Sequence, residues 1–288
     1  MNKNKHCMNK NKHCGVRKFL TFGTIASVLA VSVLQGAAQI VTLTDNNSVA
    51  RINTSSSAGM FDWIVDGSDQ LAQQWFWFRV GAVGGEAPIN SISAPANVTP
   101  TVRNLSTTYN NPGAYSVKVD YQLNGGAAGS GTSGMNESVT ILNQSASPLS
   151  FHFFQYTDFD LVGGPNSVSL SKNNFTGLYS TADQVAPGIT FQESLVTPGA
   201  NHGEATLFPA TLTSLNDANP TTLSDVNNAG PGNTAYAFEW DLTIAANSSF
   251  VINKALSLQL TPVPEPSALA LISVGLTGLA LRKRRTSV

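Results

Sequence analysis

Apolar and polar residues alternate with a period of two along several stretches of this 288-residue chain. Tyr115, Val117, Val119, Tyr121 and Leu123 share one face of YSVKVDYQL. Tyr236, Phe238, Trp240, Leu242 and Ile244 share one face of YAFEWDLTI. In FVINKALSLQL the pattern runs through Phe250, Ile252, Leu256, Leu258 and Leu260, with Lys254 as an interruption. Alternation of this kind predicts strands with one buried and one wetted face. Shorter runs predict further strands at Gln39–Leu43, Gln74–Val80, Val98–Leu105, Ser138–Leu142, Leu149–Thr157, Ser167–Leu170 and Thr190–Val196. Turn clusters such as Asn110-Asn111-Pro112-Gly113 and Gly163-Gly164-Pro165-Asn166 separate them. Between positions 39 and 263 only Asp69–Trp75 and Leu207–Leu215 suggest a turn or two of helix. The expected fold is all-β: a two-sheet antiparallel β-sandwich, jelly-roll-like, formed by residues 39–263 as one domain. Gly125–Gly134 reads as a flexible hairpin loop within it.

Two apolar runs break the pattern, one at each end. Phe19–Leu34 follows six basic residues and precedes Gly36 and Ala38, small residues placed for cleavage after Ala38. These are the parts of a secretory signal peptide over residues 1–38, which would engage the Sec machinery and signal peptidase; an uncleaved anchor is the alternative. Within it MNKNKHC occurs twice in succession, so Met8 is as good a start as Met1. At the other end Pro264-Glu265-Pro266 closes the folded body, because two prolines can continue neither a helix nor a central strand. Ser267–Leu281 would form an apolar helix of about 22 Å, followed by Arg282, Lys283, Arg284 and Arg285. A helix of that length is short for the ~30 Å hydrocarbon core. The basic end would stay in the cytoplasm by the positive-inside rule, which leaves the body outside the inner membrane.

This end closely resembles the PEP-CTERM sorting signal of exported bacterial proteins. The likeness rests on Pro264, Glu265 and Pro266, on the Leu/Ala/Gly-rich span with Gly275 and Gly278, and on the basic residues 282–285. It implies an exosortase that processes the tail near the Pro-Glu-Pro, after transient anchoring in the membrane. It also implies a Gram-negative source that makes exopolysaccharide, with a destination at the cell surface or in the extracellular matrix of a biofilm. An ordinary C-terminal anchor is the alternative. The resemblance gives an address, not an activity.

Charge narrows the partners. Charged residues make up 11% of the chain, against roughly 25% in an average domain. All 17 acidic residues fall between Asp45 and Glu265, while ten of the 16 basic ones lie in the first 18 and last seven positions. An acidic body between basic ends has no affinity for nucleic acid. Both cysteines, Cys7 and Cys14, belong to the leader. The body therefore has no disulfide, thiolate nucleophile or thiolate metal site.

Candidate chemistry is sparse. His152, in SFHFF, is expected on the face opposite Phe151 and Phe153. His202 sits in PGANHGE, read as a loop, where Glu204 offers an acid–base partner. Asp158 and Asp160 form the best acidic pair, fit to share a cation or to act on a glycoside, but lack a regular calcium loop. Trp63, Trp75 and Trp77 are candidate stacking surfaces for sugar. On a strand Trp75 and Trp77 share one face and Phe76 and Phe78 the other, which also suits a strand buried on both sides. No nucleophile elbow, HExxH or phosphate loop is present. The expected function is a non-enzymatic, structural or adhesive surface protein without cofactor. An exopolysaccharide-binding module or a carbohydrate-active enzyme are the alternatives.

Overall fold

The computed structural model describes residues 39–162 and 164–261. The predicted leader through Ala38 lies outside the described residues, as do Pro264, Glu265, Pro266, the apolar span and Arg282, Lys283, Arg284 and Arg285. In a first sheet run β1 (Ile40–Asp45), β2 (Ser48–Asn53), β3 (Gly59–Val65), the short β4 (Ser68–Asp69), β5 (Gln73–Val80) and the short β6 (Ala87–Pro88). A 3₁₀ turn at Ile89–Ser91 leads to a meander in the second sheet: β7 (Ala96–Thr101), β8 (Asn104–Asn111), β9 (Tyr115–Gly125) and β10 (Thr132–Asn143). β11 (Leu149–Asp158) returns to the first sheet. β12 (Asn166–Lys172), β13 (Tyr179–Ala186) and β14 (Ile189–Thr197) form another meander in the second, and β15 (His202–Leu207) returns to the first. After helix α1 (Ala210–Leu215), β16 (Asn228–Gly232) and β18 (Ser249–Leu260) join the second sheet and β17 (Thr234–Ile244) the first.

Each sheet has nine strands, ordered β1-β2-β3-β5-β11-β17-β15 with β4 and β6 at its side, and β16-β12-β13-β14-β18-β10-β9-β8-β7. Apart from a short parallel contact of Gly59 and Met60 with Gln74, the pairs are antiparallel. The predicted β-sandwich is thus observed, although its strands exceed the eight of a jelly roll. Among the described residues no helix is long and apolar enough to cross a membrane.

The core between the sheets is aromatic. Phe76 stacks on Phe153 at 5.5 Å and Phe78 on Phe151 at 5.5 Å between neighbouring strands. Each such buried ring contributes about 2–3 kcal/mol by leaving water. Lys254, the interruption in the last strand pattern, also points into this core. It is buried beside Glu137 and Glu193, 3.4 Å from the latter, and lies 4.9 Å from the centre of the Phe76 ring. Gln155 donates to Glu193 at 2.8 Å and Tyr236 does so at 2.5 Å. A polar link thereby joins β11 and β17 of one sheet to β10, β14 and β18 of the other.

Several expectations need correction. Val98–Leu105 is a hairpin of β7 and β8, not one strand. Asp69–Trp75 is largely extended, because Trp75 belongs to a strand whose alternate residues pack on opposite sides. β2, β3, β13 and β15 carry weaker alternation and escape the pattern. β17 is buried on both faces from Thr234 to Trp240, not wetted on one. The glycine-rich loop is pinned: the Asp66 carboxylate accepts the N–H groups of Gly129 at 2.7 Å and Gly131 at 2.8 Å.

Candidate functional site

The outer face of the first sheet collects the histidines. In the register of β5, β11 and β17, Arg79, His152 and Asp241 lie side by side. One row further, Trp77, Phe154, Glu239 and His202 do the same across to β15. Residues two apart on a strand share a face, so both rows look outward. His202 is therefore not in a loop but opens β15, and His152 does lie opposite Phe151 and Phe153.

His152 Nδ1 hydrogen-bonds the Asp241 carboxylate and lies 3.8 Å from Glu239 Oε1. His202 Nδ1 is 3.2 Å from Asp225 Oδ1, and its Nε2 faces Asp241 Oδ2 at 3.7 Å. Asp225 is itself fixed by the Gly203 N–H at 3.2 Å. Glu239 is fully buried. Its Oε2 accepts the Leu223 N–H at 2.9 Å, while Oε1 has no hydrogen-bond partner. Burial pushes its pKa up to about 8, and the Asp241 charge adds to the effect. Imidazole and carboxylate groups so placed can pass a proton or hold a divalent cation.

Beside this cluster the loops after β5 and α1 are locked over the sheet. Arg79 Nε pairs with Glu86 Oε1 at 2.9 Å, both side chains being buried, and Glu86 also accepts the Thr221 N–H at 3.0 Å. Trp75 donates to Asn90 at 3.0 Å and Trp77 to Asn216 at 3.3 Å. These loops cover both indoles. Trp75 and Trp77 do share one face of β5, with Phe76 and Phe78 on the other. Trp63 lies in the inter-sheet core and donates to Ser133 Oγ at 2.9 Å. All three indoles are 0% exposed, so none presents a ring to a sugar, against the stacking surface considered from sequence.

The acidic pair also separates. Asp158 is buried at the end of β11, accepts the Tyr156 hydroxyl at 3.3 Å and leaves Oδ1 unpartnered; Asp160 is exposed. Burial pushes the Asp158 pKa up to about 6, with the Asp160 charge adding to it. Among the described residues the three-membered cluster with metal-ligand spacing is His152, Glu239 and Asp241; it contains neither Asp158 nor Asp160. Glu204 does not partner His202. It accepts the Thr211 hydroxyl at 2.6 Å and the Ser224 N–H at 2.9 Å, bracing α1 and the loop behind it.

The second sheet carries a groove of about 480 Å³ on its outer face. Two cross-strand rows floor it: Asn104, Gln122 and Asn136 with Ala255, and Ser106, Asp120 and Ser138 with Asn253. Asn136 donates to Gln122 Oε1 at 3.2 Å. Val196, at a bulge of β14, stands among the lining residues. Nothing in the sequence singled out this groove, because isolated Asn, Gln and Ser on a wet strand face look like ordinary solvation.

No curated protein sequence matches the chain. Among solved structures, a bacterial glucoamylase complexed with acarbose superposes with a TM-score of 0.53 at 11% identity, over 84% of this chain and 36% of that one. The chain thus spans about a third of the glucoamylase's length. A galactose mutarotase related enzyme from Lactobacillus acidophilus gives 0.52 at 9% identity, covering 78% and 99%. A putative aldose 1-epimerase from Escherichia coli K12 gives 0.50 at 11%, covering 78% and 100%. At such identities the likeness is one of fold. The tail carries a more specific signal: residues 262–285 match the PEP-CTERM protein-sorting motif, which implies export and processing by exosortase.

Proposed function

We propose that the β-sandwich is an adhesive surface module that binds an envelope exopolysaccharide in the groove of its second sheet. The observation that carries this reading is the groove itself. About 480 Å³ lies within the range typical of small-ligand sites, roughly 300–1,000 Å³. Its floor offers amide, hydroxyl and carboxylate groups in two rows, the donor and acceptor set that polyhydroxylated rings need. The fold is shared with proteins named for sugar chemistry, and an exported module would meet such polymers outside the cell. Export would proceed through the Sec machinery with signal peptidase cutting after Ala38. Release at Pro264-Glu265-Pro266 would follow, delivering the protein to the cell surface or matrix of a Gram-negative biofilm.

The test is a polysaccharide array followed by calorimetry on the secreted protein. The wild type is expected to bind, and Asp120→Ala and Asn136→Ala to weaken binding about tenfold each, the loss of one to two good hydrogen bonds. Binding that survives both substitutions would remove the groove from the reading. Release of reducing sugar or faster anomer exchange would replace the adhesive reading with an enzymatic one.

A further inference from the structure

Among the described residues no lysine or arginine pairs with Glu239 or Asp241 on the outer face of the first sheet. Glu239, Asp241 and Asp225 converge on two imidazoles. Of the nearby permanent cations, Arg79 pairs with buried Glu86, and Lys172 with Asp225 at 3.7 Å at the edge of the cluster. Glu239 Oε1 is buried, aimed at His152, and has no hydrogen-bond partner. An orphaned buried carboxylate oxygen costs free energy unless a donor or a cation meets it.

His152 Nδ1, Glu239 Oε1 and Asp241 Oδ1 offer one ligand atom each, all within 4.8 Å of one another. A tetrahedral zinc ion with bonds near 2.0–2.1 Å asks for ligand atoms about 3.3 Å apart, so the imidazole must part from Asp241 and the Glu239 carboxylate must close on it. His202 lies outside that trio and serves as a fourth donor only by turning its Nε2 inward from Asp241. Its Nδ1 is turned toward Asp225 and its Nε2 toward Asp241 at 3.7 Å. A carboxylate that holds one imidazole nitrogen and leaves the other free is how metal-binding histidines are oriented. The Leu223 N–H on Glu239 Oε2 plays the corresponding part for the carboxylate.

We propose that His152, His202, Glu239 and Asp241 bind one zinc ion, which ties β11, β17 and β15 together at the sheet surface. Two nitrogens and two carboxylate oxygens suit zinc better than calcium or magnesium, which take oxygen donors in larger number. With four protein ligands the site is closed and structural, and it is separate from the polysaccharide groove on the other sheet.

The test uses the full chain purified in detergent without a polyhistidine tag and stripped of metal. Because the imidazoles and thiols of His6, Cys7, His13 and Cys14 can also take up zinc, bound zinc is compared between wild type and variants that share the same N-terminal sequence. Wild type is expected to bind one zinc equivalent more than His152→Ala or Glu239→Gln. Zinc should raise its melting temperature by about 5 °C and leave the melting temperature of the variants unchanged. In a Cys7→Ser/Cys14→Ser background, cobalt in place of zinc should give the intense visible bands of a tetrahedral site. That readout in the otherwise wild-type chain stands even if a variant fails to fold. Equal zinc uptake by folded variants, or a cobalt spectrum in that background without tetrahedral bands, would overturn the proposal.

Discussion

Asp158 ends β11 with its carboxyl buried and one oxygen unpartnered. Its pKa, raised by burial to about 6, means that the folded chain holds this proton at pH values where the unfolded chain has lost it. Between about pH 4 and pH 6 the Asp158 carboxyl binds more protons in the folded state, so its contribution to stability falls as pH rises through that window, and Glu239, raised to about 8, extends the fall beyond it. Asp158→Asn keeps an acceptor for Tyr156 and removes the charge. It is expected to flatten the slope and to leave the protein about 1–3 kcal/mol more stable at pH 7. Urea titrations at pH 4, 5, 6 and 7 measure this; a variant whose stability tracks the wild type at every pH would contradict it. Asp158 was legible in the sequence as an acidic residue at a strand end. Its burial was not, since the strands that flank it, β5 and β17, come from distant parts of the chain.

β18 shows what a periodic pattern reveals and what it hides. Ile252, Leu256 and Leu258 are buried as alternation predicts, yet so is Lys254, which the pattern marks only as an exception. The reason lies on other strands: Glu137 of β10 and Glu193 of β14 meet it in the core, and burial raises the pKa of Glu137. Lys254→Met leaves two carboxylates buried without a cation and is expected to cost about 3–5 kcal/mol. Adding Glu137→Gln to that variant should restore part of the loss. Thermal melts followed by circular dichroism compare the three proteins; a Lys254→Met variant as stable as wild type would show that the link contributes nothing. β15 was missed because HGEATL has few apolar residues. It pairs along β17 all the same, with Ala205 buried from its inner face.

The sandwich and its sorting tail make separable demands on the chain. Replacing Pro264 and Pro266 with alanine would remove the two residues that block helical continuation before the apolar run, and with them the extended element a protease cleft requires. The precursor is then expected to remain uncleaved in the inner membrane. Replacing Arg282, Lys283, Arg284 and Arg285 with glutamine removes the positive stop and should let some precursor pass into the periplasm. Cell fractionation with mass spectrometry of the C-terminus distinguishes the two. Wild-type protein recovered from the cell surface with Val288 intact would contradict processing of the tail.

Local chemistry was enough to foretell an all-β body between two basic, apolar ends, and the sorting motif at residues 262–285. A strand pattern and a sorting motif are each written in neighbouring residues, so they can be read in order. The candidate sites are not written that way. His152 and Asp241 are 89 positions apart, and the two rows of the groove draw on four strands. Their meeting depends on strand order and on a register in which a slip of one residue would turn each side chain to the opposite face. The same long-range pairing buried Trp75 and Trp77 and brought the only two histidines of the body onto one surface.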